Sequence, residues 1–224
     1  MQLDAFRHSP ADNLATLGEA ADARGLVWRE IDIPNDLPRD YDPLAADVLV
    51  VLGGGLGAHQ AADFSFVADE LDILGRRLAA DRPTLGICLG AQMMAAALGG
   101  SAYPGAQGKE RGWYKVELIN GAAQTPLRQF ADVPVMHNHG DTFDLPPGCT
   151  NLARGPVYSN QAFQYGHNGL AIQFHPEVRQ RELEYWFIGM AGDAAAGTLD
   201  LQDMRAQTAQ HLPALRQATT DFFH

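Results

Sequence analysis

The sequence predicts an α/β protein with a doubly wound, mostly parallel central sheet, helices on both faces and a small antiparallel extension. Short apolar runs occupy residues 47–52 and 83–87, and glycines follow each of them closely. Helical periodicity follows each run, at residues 64–80 and 90–98. Strands that alternate with helices favour parallel pairing, and the carboxyl ends of such strands form a ligand crevice.

The individual elements can be assigned in chain order. Residues 12–24 carry apolar side chains at helical spacing, and residues 26–33 follow as a strand. Residues 47–52 read Asp-Val-Leu-Val-Val-Leu, which is typical of a buried parallel strand. Gly99 and Gly100 end the helix predicted at residues 90–98.

The second half of the chain changes character. Residues 112–173 contain shorter strands broken by turn residues, so an antiparallel insert or sheet edge fits this stretch. Residues 179–224 are helical in periodicity, with a break near residues 189–197 and Pro213 late in the last segment. We expect one domain over residues 1–224, in which residues 179–224 form a C-terminal helical extension.

Composition narrows the functional classes. The chain has 224 residues with a formal net charge of −11, a charge that repels nucleic-acid phosphates and anionic membranes. Neither a signal peptide nor an apolar stretch of membrane-spanning length is recognisable, so we expect a cytoplasmic protein. Cys88 and Cys149 are too few for a disulfide framework, and both are expected to be free thiols.

The strongest chemical signal surrounds Cys88. Gly86 and Gly90 flank it at Gly-x-Cys-x-Gly, where the predicted strand 83–87 meets a helix. Glycines at this spacing permit a tight strand-to-helix turn that lifts the nucleophile out of the sheet. The helix N-terminus favours a thiolate, and its free N–H groups can hold an oxyanion. A buried structural cysteine is the alternative interpretation.

A base for this cysteine is predicted in His175-Pro176-Glu177, at the end of another apolar strand. The rigid proline holds the carboxylate of Glu177 two residues from the imidazole of His175, so one ring nitrogen can bond Glu177 while the other faces Cys88. Taken alone, this tripeptide is equally typical of a helix start. Both segments end strands at the same crevice, which favours a catalytic triad.

A glycine-rich segment, residues 53–57, follows the strand at residues 47–52. Glycines let the main chain approach a ligand, and N–H groups of Gly55 and Leu89 could together form an oxyanion hole. A phosphate-binding loop is a weak alternative because the Gly-x-x-x-x-Gly-Lys-Ser/Thr pattern is absent. A dinucleotide fingerprint is met only loosely, since the next strand ends in Cys88 and not in a carboxylate.

Five segments in this order resemble class I (triad) glutamine amidotransferases, most closely free-standing proteins similar to the glutaminase domain of GMP synthase. They are Val-Leu-Gly-Gly-Gly-Leu-Gly-Ala, Leu-Gly-Ile-Cys-Leu-Gly-Ala-Gln, Ala-Leu-Gly-Gly, His-Gly-Asp-Thr-Phe-Asp-Leu-Pro-Pro-Gly and Gln-Phe-His-Pro-Glu-Val. Agreement in order and spacing makes the resemblance specific. It implies a flavodoxin-like fold and glutamine hydrolysis through a γ-glutamyl thioester that releases ammonia.

The resemblance also implies roles for particular residues. Cys88, His175 and Glu177 would be catalytic, with oxyanion N–H groups from Gly55 and Leu89. The substrate-binding residues it implies are Gly54, Gln92, His139, Gly140 and Asp141. No cofactor and no metal are expected.

The resemblance does not determine the partners of the protein or the conformation of the loop that contains Leu56. No synthetase domain is expected in this chain, so either a separate synthetase or acceptor subunit uses the ammonia or the ammonia is simply released. A homodimer is a further option. One departure is Leu56, where the family often has a proline whose rigid φ would help to fix the oxyanion loop. Two alternatives stay open: a γ-glutamyl hydrolase or transferase acting on a glutamylated amine or peptide, and a non-catalytic binding module of the same fold.

Other polar and aromatic residues are expected to have structural roles. His137 and His139 share one strand face, but we expect no metal because no third ligand accompanies them in the sequence. The run at residues 109–111 is expected to be a solvated loop near the glutamine site. Trp186 and Phe187 are expected in the core.

Overall fold

The structure is a computed structural model that describes residues 1–36 and 40–223. Its strands are β1 (Gln2–Arg7), β2 (Val27–Asp32), β3 (Val48–Val51), β4 (Thr84–Ile87), β5 (Ala102–Pro104), β6 (Glu110–Tyr114), β7 (Glu117–Leu118), β8 (Val135–His139), β9 (Asp141–Phe143), β10 (Thr150–Arg154), β11 (Ala162–Tyr165) and β12 (Gly169–Ile172). Its α-helices are α1 (Ala15–Asp22), α2 (Ser65–Ala79), α3 (Leu89–Ala97), α4 (Gln180–Gly189), α5 (Ala191–Ala195) and α6 (Leu201–Phe222).

The central sheet has the strand order β2-β1-β3-β4-β12-β11-β10-β7. Strands β2, β1, β3, β4 and β12 pair in parallel, whereas β11, β10 and β7 continue the sheet in antiparallel fashion. Two short antiparallel ribbons, β5–β9 and β6–β8, lie outside this sheet. The predicted fold class, a mostly parallel sheet with an antiparallel extension, is therefore confirmed.

Helices cover both faces of the sheet because its central strands are apolar on both sides. Along β3, Val50 belongs to one buried cluster, while Leu49 and Val51 belong to the other. The first cluster includes side chains of α1, α4 and α6, and the second includes side chains of α2 and α3. This two-sided burial is the physical basis of the doubly wound arrangement.

The elements predicted from the sequence agree with the observed ones within two residues, except at two places. Strand β1 is a core strand that the sequence did not reveal, because the fully buried Asp4 interrupts its apolar pattern. Arg29 donates two hydrogen bonds to the Asp4 carboxylate and Tyr41 donates one, so this charge is satisfied inside the fold. Helix α1 begins at Ala15, three residues later than predicted.

The C-terminal segment is helical and is interrupted after α4. Helix α4 ends at Gly189, α5 is short, and α6 runs through Pro213 to Phe222. Residue 224 of the predicted extension lies outside the described residues. Among the described residues, no helix is both long and apolar enough to cross a membrane.

Candidate active site

Cys88 occupies a strained turn between β4 and α3. Its backbone has φ +52° and ψ −104°, a left-handed region that a residue with a side chain rarely adopts. A Cβ at Gly86 would lie 2.5 Å from the carbonyl oxygen of Gly90, and one at Gly90 would lie 2.0 Å from that of Val51. Only glycine therefore fits on either side of the cysteine, as the Gly-x-Cys-x-Gly spacing predicted.

His175 and Glu177 form a buried, directly bonded pair. His175 Nδ1 lies 2.7 Å from Glu177 Oε1, and both side chains are almost completely enclosed. Burial would lower the pKa of His175, but the carboxylate of Glu177 and the nearby sulfur of Cys88 together raise it well above its usual value. The structure thus brings together the three residues that the sequence predicted as a triad.

The turn that carries His175 and Glu177 is anchored by distant parts of the chain. The backbone N–H of Thr16 donates to the carbonyl of Glu177 at 2.9 Å. The hydroxyl of Thr219, in α6, donates to the carbonyl of Pro176 at 2.6 Å. On the remaining side, the N–H of His175 donates to the carbonyl of Met136 at 2.8 Å. These bonds fix the carboxylate relative to the sheet.

The glycine-rich loop after β3 packs against the cysteine and the histidine. A Cβ at Gly53 would lie 3.0 Å from Cε1 of His175 and 3.7 Å from Cβ of Cys88. A Cβ at Gly54 would lie 2.8 Å from Leu89 and 2.9 Å from Cβ of His8. The absence of side chains at these positions therefore allows the loop to approach the nucleophile.

His8 holds this loop from behind, a role that the sequence did not suggest. Its Nδ1 lies 2.9 Å from the carbonyl oxygen of Gly53, and its Nε2 lies 3.1 Å from both carboxylate oxygens of Glu70. The side chains of His8 and Glu70 have no solvent exposure. Burial opposes the charged form of His8, but Glu70 outweighs it and raises the pKa of His8 above its usual value.

A cavity of about 620 Å³ opens in front of Cys88. The predicted site residues that line it are Gly54, Gly55, Cys88, Gln92, His139, Gly140, Asp141 and His175. Glu177 stands behind His175, and Leu89 follows Cys88 with its side chain buried. The structure therefore gathers every predicted site residue at or directly behind one cavity.

Gln92 and His139 have protein partners within this wall. The side-chain amide of Gln92 donates to the carbonyl oxygen of Asp141 at 3.3 Å and to Oε1 of Gln173 at 3.1 Å. His139 Nδ1 lies 2.9 Å from the same Asp141 carbonyl oxygen. These bonds order the wall formed by residues 139–141.

The run at residues 109–111 is not a solvated loop, which corrects the sequence-based expectation. Glu110 is only 1% exposed, because it begins β6 and its side chain faces inward. Lys109 and Arg111 line the cavity, and both form ion pairs with Asp193 of α5. A link between the ribbon and α5, more than 80 residues apart in sequence, could not be read from the local charge pattern.

Trp186 packs in the core, as predicted, and it also lines the cavity. Its ring lies 4.6 Å from that of His175, edge to face, at an interplanar angle of 68°. Phe187 is 1% exposed in the core, as predicted. The contact between Trp186 and His175 could not be inferred from the sequence, because the helical periodicity around Trp186 predicts only that its side chain is buried.

The expectation that His137 and His139 have no third partner is wrong. The buried Glu110 faces both histidines, and one ligand atom of each residue lies within 4.8 Å of the others. Glu110 pairs with His139 across the β6–β8 ribbon, a relation that sequence spacing does not reveal. Within the described residues, this is the group whose donor types and spacing suit a metal ion.

Comparison with known proteins identifies the family and the fold. The family profile for class-I glutamine amidotransferases matches residues 21–188. A crystal structure of a glutamine amidotransferase from Thermotoga maritima superposes with a TM-score of 0.90 at 29% identity, covering 99% of this chain and 96% of that one. A glutamine amido transferase from Methylobacillus flagellatus, at 19% identity and a TM-score of 0.84, supports the same fold.

Curated relatives include proteins of similar length and much longer ones. The glutamine amidotransferase-like protein YfeJ of Salmonella typhimurium is 29% identical over 73% of this chain and 70% of its own length. One subunit of the glutamine-hydrolysing GMP synthase of Methanoregula boonei is 32% identical over 69% of this chain and 80% of its own length. The match covers only 29% of the Bacillus pumilus GMP synthase, at 38% identity. With the family profile matched over most of its length, the chain belongs to the class I glutamine amidotransferase family.

Proposed function

We propose that this protein hydrolyses the side-chain amide of glutamine to glutamate and ammonia. The observation that carries the proposal is the strained Cys88 turn, which faces one cavity with a His175 ring already bonded to Glu177. A strained backbone at a nucleophile, with a base oriented by a carboxylate, is the arrangement that covalent acyl transfer requires.

The reaction begins with attack of the Cys88 thiolate on the carboxamide carbon, while the N–H groups of Leu89 and Gly55 stabilise the tetrahedral oxyanion. The imidazolium of His175 then donates a proton to the departing nitrogen, the C–N bond breaks, and ammonia leaves a γ-glutamyl thioester. Neutral His175 next takes a proton from water, whose oxygen attacks the thioester carbon. The C–S bond breaks, which releases glutamate and restores the thiolate with the imidazolium.

The raised pKa of His175 supports these proton transfers. Glu177 and Cys88 stabilise the imidazolium despite its burial, so His175 holds the proton that the leaving nitrogen needs. Glu177 orients the ring through Nδ1 and leaves Nε2 free to face the reacting atoms.

The charges around the cavity support an amino acid as the substrate. Lys109 and Arg111 lie on one wall, and Asp12 and Asp141 also line the cavity. A free amino acid carries both a carboxylate and an ammonium group, so walls of both signs can bind it at two points. Gly54, Gln92, His139, Gly140 and Asp141 are the residues that we assign to substrate binding.

The ammonia is proposed to pass to a separate acceptor protein. One relative of similar length is a subunit of GMP synthase, and the complete GMP synthases are several times longer than the matched segment. We further propose that the protein acts in the cytoplasm as a single domain, and that this acceptor or synthetase subunit regulates its turnover.

An assay of substrate choice tests this function. The purified chain should release equimolar glutamate and ammonia from L-glutamine, and should act at least about tenfold more slowly on γ-glutamyl amines and peptides, whose larger leaving groups must fit the same pocket. Faster turnover of the conjugates would instead identify a γ-glutamyl hydrolase or transferase.

Covalent labelling of Cys88 tests the nucleophile without an acceptor protein, which the turnover assay could require. A glutamine analogue with an electrophilic diazoketone should add to Cys88, as measured by peptide mass spectrometry. Cys149 is the internal control, because burial raises the pKa of its thiol to about 11. A chain that neither turns over glutamine nor is labelled at Cys88 would be a binding module without catalysis.

Loss of His8 is expected to slow the chemical step. His8→Leu removes the bond to the Gly53 carbonyl, so the Gly55 N–H loses its fixed position. We predict that kcat falls about 10- to 100-fold while KM changes less than about threefold, because the oxyanion forms only in the transition state. Steady-state kinetics with glutamine measures both constants.

Glu70 supplies the matched pair of controls. In Glu70→Gln the amide can donate to Nε2 of a neutral His8, so Nδ1–H still bonds Gly53 and kcat should stay within about threefold of the parent. Glu70→Leu cannot orient the ring, and its kcat should fall as in His8→Leu. Equal losses in Gln and Leu variants would contradict a positioning role.

A further inference from the structure

We propose that Glu110, His137 and His139 form a binding site for one divalent transition-metal ion, with zinc as the preferred ion. The site lies on the inner face of the β6–β8 ribbon. It adjoins the proposed glutamine pocket through His139, which also lines the cavity, but none of its three ligands is the nucleophile or the base.

Unpaired polar atoms are concentrated at this place. Both ring nitrogens of His137, Nε2 of His139 and Oε1 of Glu110 are buried without a hydrogen-bond partner. The three side chains are at most 1% exposed. Buried polar atoms are nearly always satisfied in native proteins, so several orphaned atoms at one point indicate that a further group belongs there.

The separations of the ligand atoms fit a small ion. Glu110 Oε2 lies 3.0 Å from Nε2 of His139 and 3.6 Å from Nδ1 of His137. Ligands held tetrahedrally at roughly 2.0–2.1 Å from zinc are about 3.3–3.4 Å apart, a value between these two separations. His137 and His139 are two residues apart on one strand and therefore share a face, while Glu110 stands opposite His139 in register.

The chemistry of the ligands is also suitable. The Asp141 carbonyl can only accept, so Nδ1 of His139 carries the proton and its Nε2 presents a lone pair when the ring is neutral. His137 is fully buried, and neither of its ring nitrogens has a protein hydrogen-bond partner among the described residues, so either one can act as a ligand. The amide of Gln161 donates to Glu110 Oε2 at 2.8 Å and orients the carboxylate.

A proton shared by Glu110 and His139 is a weaker explanation of the cluster. Such an ion pair would satisfy those two side chains, but both nitrogens of His137 would remain unpaired in the interior. A metal ion satisfies one atom of each residue at once. Two histidines and one glutamate form a ligand set that zinc sites use, with a fourth position left for water.

The position of the cluster suggests that the ion stabilises the support of the catalytic turn. His137 follows Met136, whose carbonyl accepts the backbone N–H of His175. The ring of His137 also lies 6.1 Å from that of Phe174, which precedes His175. A bound ion would cross-link β6 to β8 and hold this region of the fold together.

Zinc binding to chelator-treated protein tests the site. The titration uses the Cys88→Ala chain, because the Cys88 thiol beside His175 could bind zinc by itself. Competition with a chromophoric chelator should give one zinc per chain, and the Tm should rise with zinc concentration. Binding well below one ion per chain, or no rise in Tm, would overturn the proposal.

Two further substitutions in the same background locate the ion. His137→Phe, which suits the neighbouring rings of Tyr114 and Phe174, should weaken zinc binding by at least about 100-fold. The exposed His167 provides the matched control, and His167→Ala should bind zinc like its parent. Equal affinity in His137→Phe and His167→Ala would place the zinc elsewhere and refute the site.

Cobalt keeps the test decisive if His137→Phe does not fold. Co²⁺ bound to the Cys88→Ala chain should show the intense visible bands of a tetrahedral site without thiolate charge-transfer bands, and added Zn²⁺ should abolish them. A weak octahedral spectrum would contradict the proposed ligands.

Discussion

Cys88→Ala is expected to hydrolyse glutamine at least about 10⁴-fold more slowly than the parent chain, because no other group in the cavity can form the thioester. Alanine is smaller than cysteine and fits the same turn, so the Tm should change little. Release of glutamate and ammonia, measured at saturating glutamine, gives the size of the loss.

The second cysteine provides the control for this variant. Cys149 is free, half-buried and packed against the core cluster that contains α2 and α3, away from the cavity lining. Cys149→Ala should retain activity within about twofold, since the packing change is small. Turnover by Cys88→Ala at a tenth of the parental rate or more would contradict nucleophilic catalysis by Cys88.

Gly90→Ala should destabilise the fold by about 3 kcal/mol or more and abolish activity. The added Cβ would lie 2.0 Å from the backbone carbonyl oxygen of Val51, so either β3 or the start of α3 must move. Neither can move freely, because β3 pairs with β1 on one side and β4 on the other. Chemical denaturation measures the free energy of unfolding.

Gly75→Ala makes the same chemical change in the interior of α2 and should have the opposite effect. The nearest atom to the added Cβ is the Ala97 carbonyl oxygen at 3.9 Å, an ordinary contact. Alanine is a better helix former than glycine, so the free energy of unfolding should rise by about 0.5–1 kcal/mol. If both variants lost stability equally, the close approach of α3 to β3 would not be the cause.

The parts of the fold that the sequence predicts are those with a local pattern. Val48–Val51 is a run of apolar residues, and Gly86 and Gly90 mark the turn around Cys88 by their spacing alone. Strand β1 has no such pattern, because Asp4 lies in its middle and its carboxylate accepts hydrogen bonds from the distant Arg29 and Tyr41 as well as from the neighbouring Gln2. A buried charged residue interrupts the apolar pattern by which a strand is predicted, and the local sequence does not show that distant residues satisfy the charge.

The candidate site likewise contains residues that local motifs predict and residues whose contacts come from distant parts of the chain. The proposed triad, oxyanion residues and substrate-binding residues come from contiguous motifs, so their resemblance to a family could be recognised. Glu70 meets His8 across 62 residues, and Trp186 meets His175 through the docking of α4. Their roles depend on packing between helices and strands that are distant in sequence. No local periodicity in a single sequence shows which of these elements pack together.

The anchoring of the His175–Glu177 turn by Thr16 and Thr219 has a consequence for protein synthesis. Strand β12, which pairs with β4, and helix α6, which carries Thr219, are both made long after the Cys88 turn has left the ribosome. A nascent chain can therefore form the Cys88 turn early, but His175 and Glu177 reach their anchored positions only after α6 has also been made. The proposed triad is thus assembled only once the chain extends through Thr219.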